Sequence, residues 1–339
     1  MNMPKTLAQL AEHVNGKVVG NANIEIAAVA TLDNAGPTDI SFLANPKYSK
    51  AIKTTKAGAV IVGKEVPCQV PMIVAADPYY AFAQIVILLH GHRKHLQNGI
   101  SPKATISPKA KIGQNCHIQD YSTVSDNAVI GEGTIIYPNV FIGPDVIIGS
   151  NCILYPSSVI YDGCVLGNNV IINANATIGK DGYGYATHKG VHHKIPQVGK
   201  VIIEDDVEIG GGCCLQRGAI EDTVVGKGSK LGDLISVGHG AKIGPYCLLV
   251  GQIGIAGSTT IGHHCVIGGQ VGIVGHIKIG NCVQIAAQAG VINSVPDNSN
   301  IVGAPAINAS TARRAYALIE DLPEMKKAIQ RLEKAGNNG

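Results

Sequence analysis

Tryptophan is absent from the 339 residues, and the aromatic side chains amount to 11 tyrosines and three phenylalanines. A core built without aromatics has to come from aliphatic side chains, and at 45% apolar residues the chain has enough of them. Charge is sparse as well: Asp, Glu, Lys and Arg make up 15% of the chain, against about 25% in ordinary soluble domains. That balance excludes disorder, which needs low hydrophobicity and high net charge. A net charge of +3 is too small for a general nucleic-acid binder. Long apolar runs are missing too. Ile85 to Leu89 falls far short of the ~18 residues that cross a bilayer, and the first residues show no basic-then-apolar export signal. Nine cysteines, an odd number without a Cys-x-x-Cys pair, suit a reducing cytoplasm better than a disulfide framework.

Glycine is what the chain has in excess: 42 residues of 339, where the usual share is about 7%. A helical bundle tolerates little glycine. The arrangement of the aliphatics explains the excess. Stepping by six from Ile100 gives Ile106, Ile112, Ile118 and so on to Ile178, fourteen aliphatic residues without a miss. The register resumes at Ile203, Ile209 and Leu215, then runs from Val225 through Ile255 and Ile273 to Val291. Glycine often follows the aliphatic, as in Ile112-Gly113 and Ile142-Gly143, and small residues often stand two before it. A period of six fits neither a helix nor an alternating strand. It fits a short strand plus a tight turn, with glycine expected where the turn needs unusual backbone angles. Three hexads close one triangular coil, so 29 in-register positions predict about ten coils of a parallel β-helix.

Segments outside the register set the domain plan. Residues 1–95 predict a small α/β domain: a helix over Thr6 to Val14, strands at Ile24 to Leu32 and Ala59 to Val62, and a helix started by Asp77-Pro78. A polar linker runs from Gly91 to Gly99, the β-helix occupies 96–308, and 309–339 is a helical extension interrupted at Pro323. Two stretches cannot stay in the wall and must loop out: Lys180 to Lys200, and a smaller one near Arg217 to Thr223. Extruded loops on repeat scaffolds commonly carry function.

Histidine, whose ordinary pKa is nearest neutrality, is the first residue type to search for chemistry. His13, His90, His92 and His95 read as surface residues. His188, His192 and His193 fall in the long extrusion, and the adjacent pair His263-His264 lies at a turn, whereas neighbours on a strand would point in opposite directions. His239 and His276 stand apart, since both follow an inward aliphatic and have glycine beside them, which leaves room for a ligand. Their spacing of 37 residues puts them on one side of the prism, two layers apart. Zinc bound by histidines of neighbouring coils is disfavoured, with one such wall histidine per pair of coils. Cys213-Cys214 reads as small core filling.

The hexad register resembles that of the left-handed β-helix acyltransferases, a superfamily of trimers. The left hand is taken from that resemblance, since crossovers are ordinarily right-handed. Three segments narrow the match: Ile40-Ser41-Phe42-Leu43-Ala44-Asn45-Pro46-Lys47-Tyr48; Lys180-Asp181-Gly182-Tyr183-Gly184-Tyr185-Ala186 with Lys194-Ile195-Pro196-Gln197-Val198-Gly199; and Ser236-Val237-Gly238-His239-Gly240. Together they resemble the UDP-3-O-(3-hydroxyacyl)glucosamine N-acyltransferases of lipid A synthesis, along nearly the whole chain. The resemblance implies a cytoplasmic enzyme of a Gram-negative bacterium. It would move a 3-hydroxyacyl chain from acyl carrier protein to the 2-amino group of UDP-3-O-acylglucosamine, as a homotrimer with active sites between subunits. No cofactor is implied beyond the phosphopantetheine of the donor, and no metal.

Residue by residue, the resemblance makes His239 the general base and the Gly257 backbone N–H the oxyanion donor. It places His276 near the sugar, with Phe42, Asn45 and Tyr48 around the uracil. The chemistry suits these types: an amine attacking a thioester sheds a proton to an imidazole, and the oxyanion needs a fixed donor. The small stretch Ala286 to Gly290, with Ala287 and Gly290, predicts a roomy acyl groove and a longer acyl chain. Arg313, Arg314, Lys326 and Lys327 offer the acidic carrier protein a basic face. The family usually reads Asp-Asn ahead of the base, His-Asn at it and Ile-Asp-Arg-Gly upstream. Here stand Gly232-Asp233, His239-Gly240 and Leu215-Gln216-Arg217-Gly218. The lost acid leaves Asp233 or a backbone carbonyl to orient His239. These departures keep two alternatives open: a diverged sugar-nucleotide acyltransferase using a small acyl-CoA, and a non-catalytic sugar-nucleotide-binding paralogue.

Overall fold

The computed structural model describes residues 3–336 apart from 46, 48 and 49, so Tyr48 lies outside the described residues. The chain divides into two compact units, Met1–His95 and Leu96–Gly339.

In the first unit, strands β1 (Lys5–Thr6) and β3 (Glu25–Ile26) pair antiparallel beside a mixed sheet. That sheet has the order β2 (Lys17–Val19), β7 (Met72–Val74), β6 (Ala59–Val62), β5 (Asp39–Leu43), β4 (Ala28–Val29). The single strand expected over Ile24 to Leu32 is thus split between two sheets. Helix α1 (Leu7–His13) starts at a capping box in which Thr6 and Gln9 bond reciprocally. Helix α2 (Pro78–His90) starts at Asp77, whose Oδ1 accepts from the Tyr79 and Tyr80 amides at 3.0 Å. Leu7, Leu10, Ile85 and Leu89 bury the helices against Ile40, Ile61 and Ile73 of the sheet.

The second unit is a parallel β-helix whose strands stack in three sheets of 10, 10 and 9. Each coil strand is about two residues long, and partners lie one coil apart, as in Val129↔Ile147↔Val165. The second residue of each pair faces inward. Small residues two positions earlier share the interior, which is where Cys152, Cys164, Cys247 and Cys265 lie fully buried. The glycine that follows the aliphatic does a different job from the one expected. The left-handed turn positions are held mostly by non-glycine residues such as Asn127, Asn151, Gln270 and His276. Gly113 is not among them. A methyl at Gly113 would sit 2.7 Å from the Glu132 amide nitrogen on the next coil, so the requirement is close stacking of backbones.

Both interruptions leave the wall at the same corner. The longer one carries a β-hairpin, Tyr185–His188 with Val191–Lys194. Beyond the coils, α3 (Ala309–Ala317) and α4 (Leu322–Gly336) follow. The expected break between two helices falls at 318–321, and Pro323 is the second residue of α4, where its missing N–H costs no hydrogen bond. Among the described residues, no helix is long and apolar enough to cross a membrane.

Candidate active site

The corner that releases both extrusions then carries, coil by coil, the turns His239-Gly240, Gly257-Ser258 and Gly275-His276. The Ser258 amide donates to the His239 carbonyl (2.9 Å) and the His276 amide to the Gly257 carbonyl (3.2 Å). His239 and His276 therefore do share one corner two layers apart. His239 is level with Gly257 and Gly275, whereas His276 is level with Ser258 and holds a left-handed backbone at φ 62°. His239 is half-buried and His276 exposed.

Two glycines cradle the His239 side chain. A methyl at Gly257 would lie 2.6 Å from Nε2 and 2.8 Å from Cδ2 and Cε1, so the ring tip fills the space of a side chain there. A methyl at Gly182, at the root of the long extrusion, would lie 2.6 Å from the His239 Cβ. The Gly257 N–H donates to no acceptor among the described residues, which leaves it available. Among the described residues, no acid is hydrogen-bonded to the ring. Asp233 belongs to another corner, where its Oδ1 accepts from the Gly211 amide at 2.7 Å. The expectation that it orients His239 is overturned by that position.

Sequence reasoning missed the parts that hold this corner together. Arg217, 8% exposed, donates from Nε to the Gly179 carbonyl (2.6 Å). Its Nη1 reaches the Asp162 carboxylate at 3.0 Å, and Nη2 the Asp162 carbonyl at 2.7 Å. The Thr223 hydroxyl donates to the Gln216 carbonyl (2.7 Å) and accepts from the Gly240 amide (2.8 Å). Gln216 itself accepts from the Tyr183 amide at 3.2 Å. The two departures Gln216 and Gly240 are thus both in the scaffolding under His239. Only Arg217, a lone charge in an otherwise uncharged stretch, could have signalled this.

A cleft of about 390 Å³ opens on one side of the corner, lined by Ala219, Ile220, Glu221, His239, Lys242 and Ser258 among others. Lys242 bonds Glu221 at 2.7 Å and holds its carboxyl below the usual range. On the other side runs a shallow trough of about 430 Å³ along Ser236, Gly254, Ala256 and Gly272. Gly290 continues the row, paired with Gly272, and a methyl at Gly254, Gly272 or Gly290 would meet nothing within 4 Å. Ala287 does not share that wall: it is exposed on the neighbouring corner, Gln288 joins a ladder to Gln270 (2.7 Å), and Ala289 faces the interior.

In the first unit, a cavity of about 500 Å³ is lined by Phe42, Asn45, Ser41, Asp33, Thr31 and Tyr79 among others. Phe42 stacks on Phe82 (centroids 4.2 Å) and meets Tyr79 at 5.5 Å. Asn45 accepts the Lys47 amide at 2.9 Å. Tyr79 was not foreseen, although the grouping of Tyr79, Tyr80 and Phe82 is conspicuous in a chain with so few aromatics.

Other candidates lie apart from these clefts. His263 and His264 sit in a turn, as expected, with rings edge to face at 5.0 Å. His188, His192 and His193 are exposed on the hairpin. Arg313, Arg314, Lys326 and Lys327 are exposed on α3 and α4, and Lys327 pairs with Glu324 at 2.6 Å. Among the described residues, no three His, Cys, Asp or Glu side chains converge as a metal site.

The family model of UDP-3-O-(3-hydroxymyristoyl) glucosamine N-acyltransferase matches residues 23–88. The bacterial transferase hexapeptide model matches 109–144, 127–160 and 145–180. Among solved structures, the Arabidopsis UDP-N-acetylglucosamine acyltransferase is similar with a TM-score of 0.56 at 21% identity, over 68% of this chain and 82% of that one. That likeness concerns the fold alone, a left-handed parallel β-helix. The UDP-3-O-acylglucosamine N-acyltransferase of Geobacter sp. (strain M21) is 54% identical, over 98% of this chain and 96% of the relative. Its counterpart in Syntrophotalea carbinolica is 51% identical, over 97% and 96%. With that identity along nearly the full length of both proteins, the chain belongs to the family of UDP-3-O-acylglucosamine N-acyltransferases.

Proposed function

We propose that the protein transfers a 3-hydroxyacyl chain from acyl carrier protein to the 2-amino group of UDP-3-O-(3-hydroxyacyl)glucosamine, giving a UDP-2,3-diacylglucosamine precursor of lipid A. The observation that carries this reading is the seat of the His239 imidazole on Gly257, with the Gly257 amide uncommitted beside it. An acyl transfer to an amine needs these two groups at one place. The amine nitrogen attacks the thioester carbonyl, and Nε2 of His239 removes its proton. The Gly257 N–H donates to the oxyanion, a contact worth about 3–4 kcal/mol. The tetrahedral centre then collapses, forming the amide and expelling the thiolate of the donor, which leaves with the proton.

The same reading assigns the surrounding features. The uracil stacks on Phe42 in the aromatic cavity of the first unit, with Asn45 and Tyr48 supplying polar contacts and His276 meeting the sugar. The glycine row at 254, 272 and 290 takes the acyl chain. Phosphopantetheine arrives with the donor, and no other cofactor enters. The basic residues Arg313, Arg314, Lys326 and Lys327 meet the acidic carrier protein. Tyr316, Leu318, Ile319, Met325 and Leu332 are exposed on the same extension, a pattern that suits burial in a homotrimer with active sites between cytoplasmic subunits.

The test is acyl transfer from a set of 3-hydroxyacyl carrier proteins to UDP-3-O-acylglucosamine, beside His239→Ala. The variant is expected to lose about 10²–10⁴ in rate. Turnover with acetyl-CoA in place of the carrier protein, or none at all by the wild type, would overturn the reading.

A further inference from the structure

Gln197 sits at the end of the long extrusion with 7% of its surface exposed. Its Nε2 donates to the Ile195 carbonyl at 2.9 Å, which settles which end of the amide is oxygen. The other end, Oε1, is buried and has no hydrogen-bond partner among the described residues. A buried acceptor left without a donor costs stability, and such groups in native proteins call for a reason.

The position of Oε1 supplies one. The methyl position on Gly182 is 2.5 Å from the Gln197 Oε1 and 2.6 Å from the His239 Cβ, so those two atoms are at most about 5 Å apart. The charged donors nearby are engaged elsewhere: Lys194 with Asp181, Arg217 with Gly179 and Asp162, Lys242 with Glu221. Because Oε1 is closed to solvent, a substrate does not reach it directly. The His239 side chain borders this space at its Cβ, and among the described residues its Nδ1 makes no hydrogen bond. We propose that Gln197 is the positioning residue of His239: Oε1 accepts the Nδ1–H and so leaves Nε2, the atom over Gly257, as the unprotonated nitrogen. Hydrogen bonds of this kind are commonly long in a free enzyme and tighten on substrate binding. A neutral amide thereby does the orienting for which no acid is bonded to the ring. The inference rests on His239 acting as the base, but its readout does not.

The experiment is nitrogen NMR on the full chain with ¹⁵N-labelled histidine, free and saturated with UDP-N-acetylglucosamine, with the His239 signals assigned by their loss in His239→Ala. The wild type is expected to hold the proton on Nδ1 in the saturated form, and Gln197→Leu to move it to Nε2. Gln197→Glu, which keeps an acceptor, is expected to restore the Nδ1–H form. In acyl transfer, Gln197→Leu is expected to lower kcat by about 10²-fold, with KM for the sugar nucleotide within twofold. Should the leucine variant fail to fold, Gln197→Met keeps the length without the amide. An Nδ1–H tautomer that persists in a folded Leu or Met variant overturns the proposal. Loss of turnover in the wild type would instead overturn the acyl-transfer reading and leave the tautomer result standing.

Discussion

The ring tip of His239 occupies the space that a side chain on Gly257 would need: a methyl there would stand 2.6 Å from Nε2. Glycine at 257 is therefore a steric requirement as well as a source of a free N–H. The two roles make different predictions for Gly257→Ala, which keeps the N–H. If only the donor mattered, the rate would hold. Displacement of the imidazole predicts a fall in kcat of about 10²–10³, the size seen when an oxyanion contact is lost. Gly63→Ala, outside these clefts, where a methyl meets only the Pro78 ring at 3.8 Å, is the control and is expected to be neutral. Steady-state kinetics on both variants decides it, and an unaffected Gly257→Ala would remove the steric role.

Phe42→Ala tests the nucleotide cavity. Stacking of a base on an aromatic ring is worth about 1–3 kcal/mol, so KM for the sugar nucleotide is expected to rise about tenfold or more, with kcat nearly unchanged at saturation. Phe42 also stacks on Phe82, so calorimetric titration with UMP should accompany a check of thermal stability. Unchanged UMP affinity in a folded variant would place the base elsewhere.

The solenoid was legible because its signal is redundant: one aliphatic every six residues repeated often enough to fix three sheets, and both extrusions were visible as breaks in it. Residues that act through their neighbours were not legible. His239 stood out by its glycine flank, yet nothing in the string places Gly182 against its Cβ, because that contact joins segments more than fifty residues apart. The same applies to Arg217 and Asp162, whose bond crosses the corner between coils. In the first unit, β5 carries Phe42 yet escaped notice, since Asp39–Leu43 has one polar residue between apolar ones and no sustained alternation. Pro323 marked the start of the second helix to within a residue, because proline in a first turn gives up no hydrogen bond.

Arg217→Met removes the donors that hold the Gly179 carbonyl and Asp162 at the root of the long extrusion. The Asp162 side chain is 56% exposed, so the ion pair itself contributes little. The unsatisfied Gly179 carbonyl and the lost packing set the cost at about 1–3 kcal/mol. The expected result is a lower Tm together with faster tryptic cleavage at Lys189 or Lys194, because the loop root loosens. A variant with native Tm and native cleavage rate would show that the network is dispensable.

Gly290 tests the acyl trough, and it does so through a position where glycine is not required by the fold. A side chain there meets nothing within 4 Å, and Gly290 pairs directly with Gly272 in the row beside the His239 corner. Gly290→Leu should therefore leave folding intact while filling the trough. If the acyl chain lies along the row, the leucine shortens the space and the longest 3-hydroxyacyl donors lose kcat/KM. The shorter donors, which never reach 290, keep it. Each methylene excluded from apolar surface is worth about 0.8 kcal/mol, so the discrimination should grow roughly fourfold per carbon beyond the point of contact. Profiling wild type and variant against one series of donors measures this. A uniform loss across all chain lengths would instead mean that leucine disturbs the corner, and an unaltered profile would place the chain on another face.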